Sequence, residues 1–237
     1  MSTLKHITFT GVDAMSDIKA LQEIQKEFPL AEFGVLTSYH WNENGNRYLD
    51  PEFMSLLRGR GLNLSLHICG SAAHDATIGK WEKLDELTEG NLDLFKRCQL
   101  NVSTRKNNPA YCHVPLVIGQ EIIIQQRNVN EISLFTETRK HWYQPMYKWS
   151  VLLDASGGRG IDTPIEILES QEKVGYAGGI NPENVGDKLY QLLTSPKVGD
   201  FWIDMESGVR TDDWFDLDKV HRVLSICKEV IRDCNHV

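Results

Sequence analysis

The hydrophobic residues of this chain form short apolar runs that alternate with amphipathic segments along its length. Residues 6–11 and 33–37 have the length and composition of buried strands, and Ile18, Leu21 and Ile24 between them recur at helical spacing. The alternation continues through six further runs, at residues 62–69, 98–102, 121–125, 149–155, 174–177 and 201–205. Eight strands alternating with helical segments predict a parallel α/β fold, and we expect closure into a single (β/α)8 TIM barrel over residues 1–237.

The run at residues 62–69 shows the two faces that a barrel strand requires. Its apolar positions are Leu62, Leu64, Leu66 and Ile68, and its other face carries Asn63, Ser65, His67 and Cys69. In a barrel the apolar face meets the helices and the alternate residues line the lumen. His67 and Cys69 are therefore expected to face the lumen.

Capping residues predict where the helices begin. Ser16 is placed to cap the first helix, Asp50–Pro51 and Asn181–Pro182 read as N-cap and first-turn pairs, and Asp216 precedes the closing helix. The middle of the chain is less regular: we expect an irregular connection at 103–119, a helix at 129–146 and a short helix at 164–168.

Two consecutive units near the C-terminus combine an apolar strand, a turn with glycine and a capped helix start. The turn residues are Gly178 and Gly179 in the first unit and Ser207 and Gly208 in the second. Glycine lets backbone N–H groups approach an anion, and the following helix N-terminus adds positive potential. A glycine pair can also serve merely as a tight turn. Two adjacent units favour a phosphate site, which in such barrels follows strands seven and eight.

The stretch WSVLLDASGGRG delivers Asp154 to the end of an apolar strand, where barrel enzymes carry their reactive groups. Gly157 and Gly158 follow in a loop suited to binding an anion. A partly desolvated carboxylate beside a bound phosphate can hold a proton and act as a general acid. The alternative is that Asp154 caps its own loop or pairs with an arginine.

Composition excludes several classes of partner. The net charge of −8 and the lack of a basic stripe argue against nucleic-acid binding. No apolar run approaches membrane-spanning length, and the chain opens with a strand-like run where a signal peptide would stand, so we expect a cytoplasmic protein without membrane contact.

Neither a disulfide framework nor a metal site is evident in the sequence. The five cysteines are scattered and form no CxxC pair. His67, Cys69, His74 and Asp75 match no closed set of zinc ligands. Schiff-base chemistry requires a lysine at a strand end, whereas Lys5 and Lys148 stand at strand starts.

The segments YAGGINPENV and IDMESGVRTDDWFDLDKV resemble the last two strand–loop units of phosphoribosylanthranilate isomerase. LLDASGGRG, RYLDPE and CQLN are similar to further segments of that family, on strands six, two and four. The resemblance implies an Amadori aldose-to-ketose isomerisation of a phosphorylated small molecule, without metal or organic cofactor, by a monomer or homodimer. It makes Asp154 the general acid, Arg47 the binder of the anthranilate carboxylate and Gln99 a lumen residue near the substrate.

The chain departs from the family pattern at the position of the general base. The family's strand-one cysteine removes the C2′ proton, and alignment on Gly11 places Thr10 at that position. An aliphatic hydroxyl is a far weaker base than a thiol, whose pKa is about 8.5. Substitutes within reach of the lumen are Asp13, His67 and Cys69.

Two functions therefore remain open from the sequence. One is a phosphosugar isomerase with Asp154, and Thr10 or His67, as its catalytic residues. The other is a divergent barrel that keeps the phosphate site and either binds a phosphorylated ligand or acts on another phosphorylated substrate.

Overall fold

Eight parallel strands close into a barrel, in the computed structural model, which describes residues 2–43, 45–77, 80–101, 121–131, 148–170 and 172–235. The strands follow one another around the barrel in chain order, and the last pairs with the first. They are β1 Thr3–Thr10, β2 Ala31–Thr37, β3 Leu64–Cys69, β4 Arg97–Asn101, β5 Glu121–Gln126, β6 Lys148–Asp154, β7 Val174–Ala177 and β8 Asp200–Met205. The predicted (β/α)8 architecture is confirmed.

The helices of the described residues are α1 Ile18–Glu27, α2 Pro51–Leu56, α3 Gly70–Thr77, α4 Trp81–Leu87, α5 Val185–Thr194 and α6 Leu217–Asn235. Short 3-10 turns occur at Trp41–Glu43, Leu92–Leu94 and Ser207–Val209. A hairpin of β9 Arg210–Thr211 and β10 Trp214–Phe215, which the sequence pattern did not predict, follows β8. The predicted irregular connection at 103–119 and all but the first three residues of the predicted helix at 129–146 lie outside the described residues.

The outward and inward faces of the strands contribute to two different apolar clusters, one between strands and helices and one inside the lumen. The outward face of β3 packs Leu64, Leu66 and Ile68 into the large core between strands and helices, as its alternation predicted. Inside the lumen, Ile123, Leu152 and Trp202 form a separate apolar layer.

A charged network lies beside this apolar layer, toward the N-terminal ends of the strands. Arg97 binds Glu32 at 2.7 Å, and its guanidinium stacks over the Trp202 ring at 4.3 Å. Glu121 pairs with Arg97 and Lys173. Among the described residues, these side chains fill the lumen toward the N-terminal ends of the strands.

Three predicted helix features are corrected. The cap of α1 is Asp17, whose carboxylate accepts from Lys19 N and Ala20 N; the predicted cap, Ser16, instead bonds to Asp13. Helix α5 begins at Val185 rather than at the predicted Asn181–Pro182, because the Asn181 side chain closes a preceding turn by accepting from the N–H groups of residues 183 and 184.

The third correction concerns residues 164–168, where no helix forms. The residue just before this segment is held by other parts of the chain: Thr163 N donates to Gly178 O, and Lys188 Nζ donates to Thr163 O. These contacts hold the segment against the turn after β7 instead of in its own helical turn. The predicted cap of α6 is confirmed, since Asp216 accepts from the N–H groups of residues 218 and 219.

Candidate active site

A cavity of about 300 Å³ opens at the C-terminal ends of the strands. This volume lies at the lower end of the range for small-molecule sites. Seven of the predicted site residues line it: Thr10, Arg47, His67, Gln99, Asp154, Gly157 and Gly158. Positions from β1, β3, β4 and β6 and from two loops are thus brought to one opening, as expected for the catalytic end of a barrel.

Asp154 lies at the end of β6 and is 4% exposed. Its Oδ1 accepts from Ser156 N at 3.0 Å and Ser156 Oγ at 2.7 Å, and its Oδ2 accepts from Gln125 Nε2 at 2.7 Å and Gly158 N at 2.6 Å. Three of these four hydrogen bonds come from the loop that follows β6. Asp154 therefore caps its own loop, as the alternative interpretation predicted, and it also faces the cavity.

A second buried carboxylate, which the sequence analysis did not single out, faces the same cavity from β8. Asp204 is 5% exposed, and its Oδ1 accepts a hydrogen bond of 2.8 Å from Thr10 Oγ1. Burial raises the pKa of Asp204 to about 8, and the Thr10 hydroxyl acts in the opposite direction. The threonine at the position of the family's cysteine is therefore bonded to a carboxylate with an unusually high proton affinity.

His67 lies beside this pair, at the same level of the lumen. A Cβ on Gly34 would lie 2.6 Å from Thr10 Oγ1 and 3.0 Å from His67 Nε2, so glycine is required where these two side chains converge. His67 Nε2 is 3.1 Å from Ser65 Oγ. Burial, helped by the positive charge of Arg97, lowers the pKa of His67 to about 3. The imidazole is therefore neutral and weakly basic at physiological pH.

Cys69, the other substitute on β3, is not an activated thiol. Burial raises the pKa of Cys69 to about 11, although Asn101 Nδ2 donates to its sulfur at 3.3 Å. Gln99 donates to Asn101 Oδ1 at 2.9 Å. Among the described residues no donor reaches the buried Oε1 of Gln99, which leaves an acceptor for a ligand.

Arg47, the predicted carboxylate binder, lies at the cavity wall between two carboxylates of the chain itself. Its Nη1 is 3.0 Å from Glu206 Oε1, and its Nη2 is 3.0 Å from Asp213 Oδ1. Glu206 also lines the cavity, and burial raises its pKa despite the neighbouring Arg47. The guanidinium is thus already paired before any ligand binds.

The proposed substitute base Asp13 is committed elsewhere. Its carboxylate pairs with Arg210 Nη2 at 3.2 Å and accepts from Phe215 N at 2.7 Å. Arg210, which stands where the resembling family has glutamate, also donates to Gly11 O and Asp213 O. Asp13 and Arg210 therefore fasten the β9–β10 hairpin to the loop after β1, and Asp13 is not among the residues lining the cavity.

The remaining predicted phosphate residues, Gly178, Gly179, Ser207 and Gly208, lie beside the cavity rather than among its lining residues. Residues 160–163 pack against the first three of them, and a Cβ on Gly179, at φ +63°, would clash with the backbone of Asp162. No acceptor is found for the N–H groups of Gly179 and Gly208 among the described residues. The loops after β6, β7 and β8 thus form one packed group with free backbone donors.

Sequence reasoning missed several residues that shape the cavity. Gln125 and Arg127 come from the end of β5, and Arg127 lies exposed against the β6 loop, 3.0 Å from where a Gly157 Cβ would be. Asp204 comes from β8, and Glu206 directly follows that strand. The strand period of two places these two carboxylates on the lumen face with Trp202, a signal that the sequence does contain.

The described residues contain no group of three or more His, Cys, Asp or Glu side chains arranged to hold a metal ion. None of their helices is both long and apolar enough to cross a membrane.

Comparison with known proteins agrees with this architecture. The family model of N-(5'-phosphoribosyl)anthranilate (PRA) isomerase matches residues 117–225, which confirms the resemblance. The structure of N-(5'-phosphoribosyl)anthranilate isomerase from Pyrococcus furiosus matches with a TM-score of 0.54 and 17% identity, over 94% of this chain and 98% of that chain. Phosphoribosyl anthranilate isomerase from Thermococcus kodakaraensis matches with a TM-score of 0.53 and 16% identity, over 97% and 99%. At these identities the structures establish the shared fold. No curated protein matches the chain significantly.

Proposed function

We propose that this chain, whose residues 117–225 match the PRA isomerase family model, is an aldose–ketose isomerase acting on a phosphorylated sugar by acid/base catalysis. The observation that carries the proposal is the position of Asp154, buried at the end of β6, facing the cavity and followed by a glycine loop. The nearest known reaction is the Amadori rearrangement of phosphoribosylanthranilate, and we take that compound as the first substrate to test.

The phosphate group is assigned to the loops after β6, β7 and β8. The N–H groups of Gly179 and Gly208 lack acceptors among the described residues, and Arg127 adds a cation at the rim beside Gly157. Backbone donors with a nearby cation are the usual means of holding a phosphate. This placement leaves the sugar over Asp154 and Asp204.

Asp154 is assigned the first proton transfer, to the ring oxygen of the sugar. Four hydrogen bonds, from Ser156, Gln125 and Gly158, fix the orientation of its carboxylate at the end of β6. The carboxylate is thereby held at the cavity wall, where a bound sugar would lie.

The proposal is tested by ligand stabilisation and turnover together. Millimolar phosphosugars should raise the melting temperature, since a ligand that binds only the folded form adds RT ln(1 + [L]/Kd) to its stability. The same sugars without phosphate are the control. Phosphoribosylanthranilate should be consumed at a rate that rises with the concentration of this protein. Absence of both effects would reject a phosphosugar site.

Arg47 favours a second candidate, in which the chain acts on a phosphorylated substrate that carries no carboxylate. Three carboxylates (Asp13, Glu206 and Asp213) pair with two guanidinium groups, Arg47 and Arg210, so both guanidinium groups already have carboxylate partners in the chain itself. An incoming carboxylate must displace Glu206 from Arg47.

A matched pair of ligands separates the two candidates. The probes are N-(5-phosphoribityl)anthranilate and N-(5-phosphoribityl)aniline, which differ by one carboxylate. Tighter binding of the aniline compound, reversed by Glu206→Gln, favours the second candidate. Tighter binding of the anthranilate compound by the unaltered chain favours phosphoribosylanthranilate as substrate.

A further inference from the structure

We propose that Asp204 is the general base of this site and that Thr10 positions it. The inference rests on the proposed isomerase function and supplies the group that the missing strand-one cysteine leaves unassigned. The carboxylate would remove the C2′ proton of the substrate, and the threonine hydroxyl would hold that carboxylate in place without itself taking the proton.

The geometry places Asp204 where a base is needed. It projects from β8 beside β1, faces the cavity, and is bonded through Oδ1 to the hydroxyl at the former cysteine position. Among the described residues no group donates to Oδ2, so this oxygen remains available to accept a proton. Asp154 faces the same cavity from β6, which gives a substrate one carboxylate for each proton transfer.

The surroundings of Asp204 give it the basicity that the reaction requires. Burial dominates, the carboxylates Glu32 and Glu206 raise its proton affinity further, and Thr10 and Arg97 lower it. The neutral His67 and the carboxylate Asp154 also face the cavity. The resulting pKa of about 8 is close to that of an ordinary thiol, about 8.5. The carboxylate of Asp204 is therefore about as strong a base as an ordinary cysteine thiolate.

The chemical step balances without any added reactant. Asp154 protonates the ring oxygen as the C1′–O bond breaks, leaving an iminium between C1′ and nitrogen. Asp204 then takes the C2′ proton; the C–H electron pair forms the C1′=C2′ bond and the iminium pair returns to nitrogen. Transfer of a proton to C1′ and loss of the C2′ hydroxyl proton complete the ketose. C1′ is reduced and C2′ oxidised within one molecule.

The other candidates for the base are weaker on the same observations. His67 has a pKa of about 3 and holds a proton poorly, and the Cys69 thiol has a pKa of about 11 and is not ionised near neutral pH. Asp13 is not among the residues lining the cavity and is bonded to Arg210 and the β10 backbone. Asp204 combines access, burial and a free oxygen.

The test uses the full chain with phosphoribosylanthranilate as substrate and its reduced ribitol analogue as a ligand that cannot react. Asp204→Asn should lower kcat at least about a hundredfold, the usual scale for a positioned proton-transfer group, while the dissociation constant of the analogue changes less than about threefold. Binding of the analogue also shows that the variant is folded.

Thr10 is tested by the pH profile, which a merely structural role would not move. In the wild type, kcat/KM should rise with pH and level off above about 8. Thr10→Val keeps the shape and removes the donor to Oδ1, so the midpoint should move to higher pH, while Thr10→Ser should restore it. Thr8→Val is the matched control, because the Thr8 hydroxyl donates to Glu32 at 2.9 Å instead.

The outcomes separate this inference from the proposed function. Loss of turnover in Asp204→Asn together with the shifted midpoint in Thr10→Val supports it. Turnover largely kept in Asp204→Asn, or an unmoved midpoint in Thr10→Val, overturns the inference and leaves the isomerase function standing. Binding of the analogue by the wild type without turnover at any pH from 6 to 9 overturns both.

Discussion

Asp154 and Asp204 are two aspartates of one cavity in two different environments. Asp154 is the last residue of β6 and Asp204 the last but one of β8, and they are 4% and 5% exposed. Asp154 accepts from four donors of its own loop and β5, whereas Asp204 accepts from the single hydroxyl of Thr10. The two carboxylates are thus equally buried but differently hydrogen-bonded, and burial raises the pKa of Asp204 to about 8.

The two sides of the cavity also differ in the groups that surround each aspartate. The β6 loop is wrapped around Asp154, and Arg127 lies beside Gly157 of this loop at the rim of the cavity. The other side contains the buried carboxylate of Asp204, on β8, and the neutral imidazole of His67, on β3. Removing each aspartate in turn is therefore expected to have different consequences for rate, stability and pH dependence.

The largest expected effect is that of Asp154→Asn on turnover. We expect kcat to fall about a hundredfold or more with little change in KM, because a positioned proton donor is lost while the binding groups remain. Steady-state kinetics with phosphoribosylanthranilate measure this. Asp200→Asn, the same change at the opposite end of the barrel, is the control. Turnover within tenfold of wild type would remove Asp154 from the mechanism.

The next effect concerns the pH dependence of stability, which tests the raised pKa of Asp204 without any substrate. The folded pKa of Asp204, about 8, lies above the unfolded value of about 3.9, so between these pH values the folded state holds a proton that the unfolded state has lost. Its contribution to stability is therefore fully present below about pH 4 and is lost as pH rises toward 8.

Urea unfolding of wild type and Asp204→Asn at pH 5 and pH 7.5 measures this contribution. The free energy of unfolding of the wild type should fall relative to the variant by up to about 3 kcal/mol over that range, at about 1.4 kcal/mol for each pH unit. His6 and His67, whose pKa values are lowered to about 4 and about 3, act in both proteins and cancel in the difference. A difference independent of pH would refute the raised pKa of Asp204.

The sequence predicted the barrel and the Asp154 side of the site because both are local. Strand periodicity can be recognised from neighbouring residues, and the glycines that form the loop after Asp154 follow it closely in the sequence. The alternative reading of Asp154 as a loop cap was equally local, and the structure contains that cap.

The Asp204 side could not be read in the same way, because it depends on closure of the barrel. Thr10 and Asp204 are 194 residues apart and meet only when β8 pairs with β1. The pairing of Arg47 with Glu206 and Asp213 is equally distant, 159 and 166 residues along the chain. The charge state of a buried carboxylate depends on such neighbours, so the sequence offered Asp13, His67 and Cys69 as bases and did not point to Asp204.

The smallest expected effect is that of Thr10→Cys in the wild type, and its size depends on the background. A thiol at position 10 supplies the family's base, so isomerase activity should rise; with Asp204 already present the gain should stay within about tenfold, because two bases compete for one proton. In Asp204→Asn the same thiol should restore activity by a larger factor, since it then acts alone. The ratio of the two gains, measured as kcat/KM for all four proteins, is a double-mutant coupling. Equal gains in both backgrounds would mean that position 10 and Asp204 act independently. That result would contradict the assignment of Asp204 as the general base.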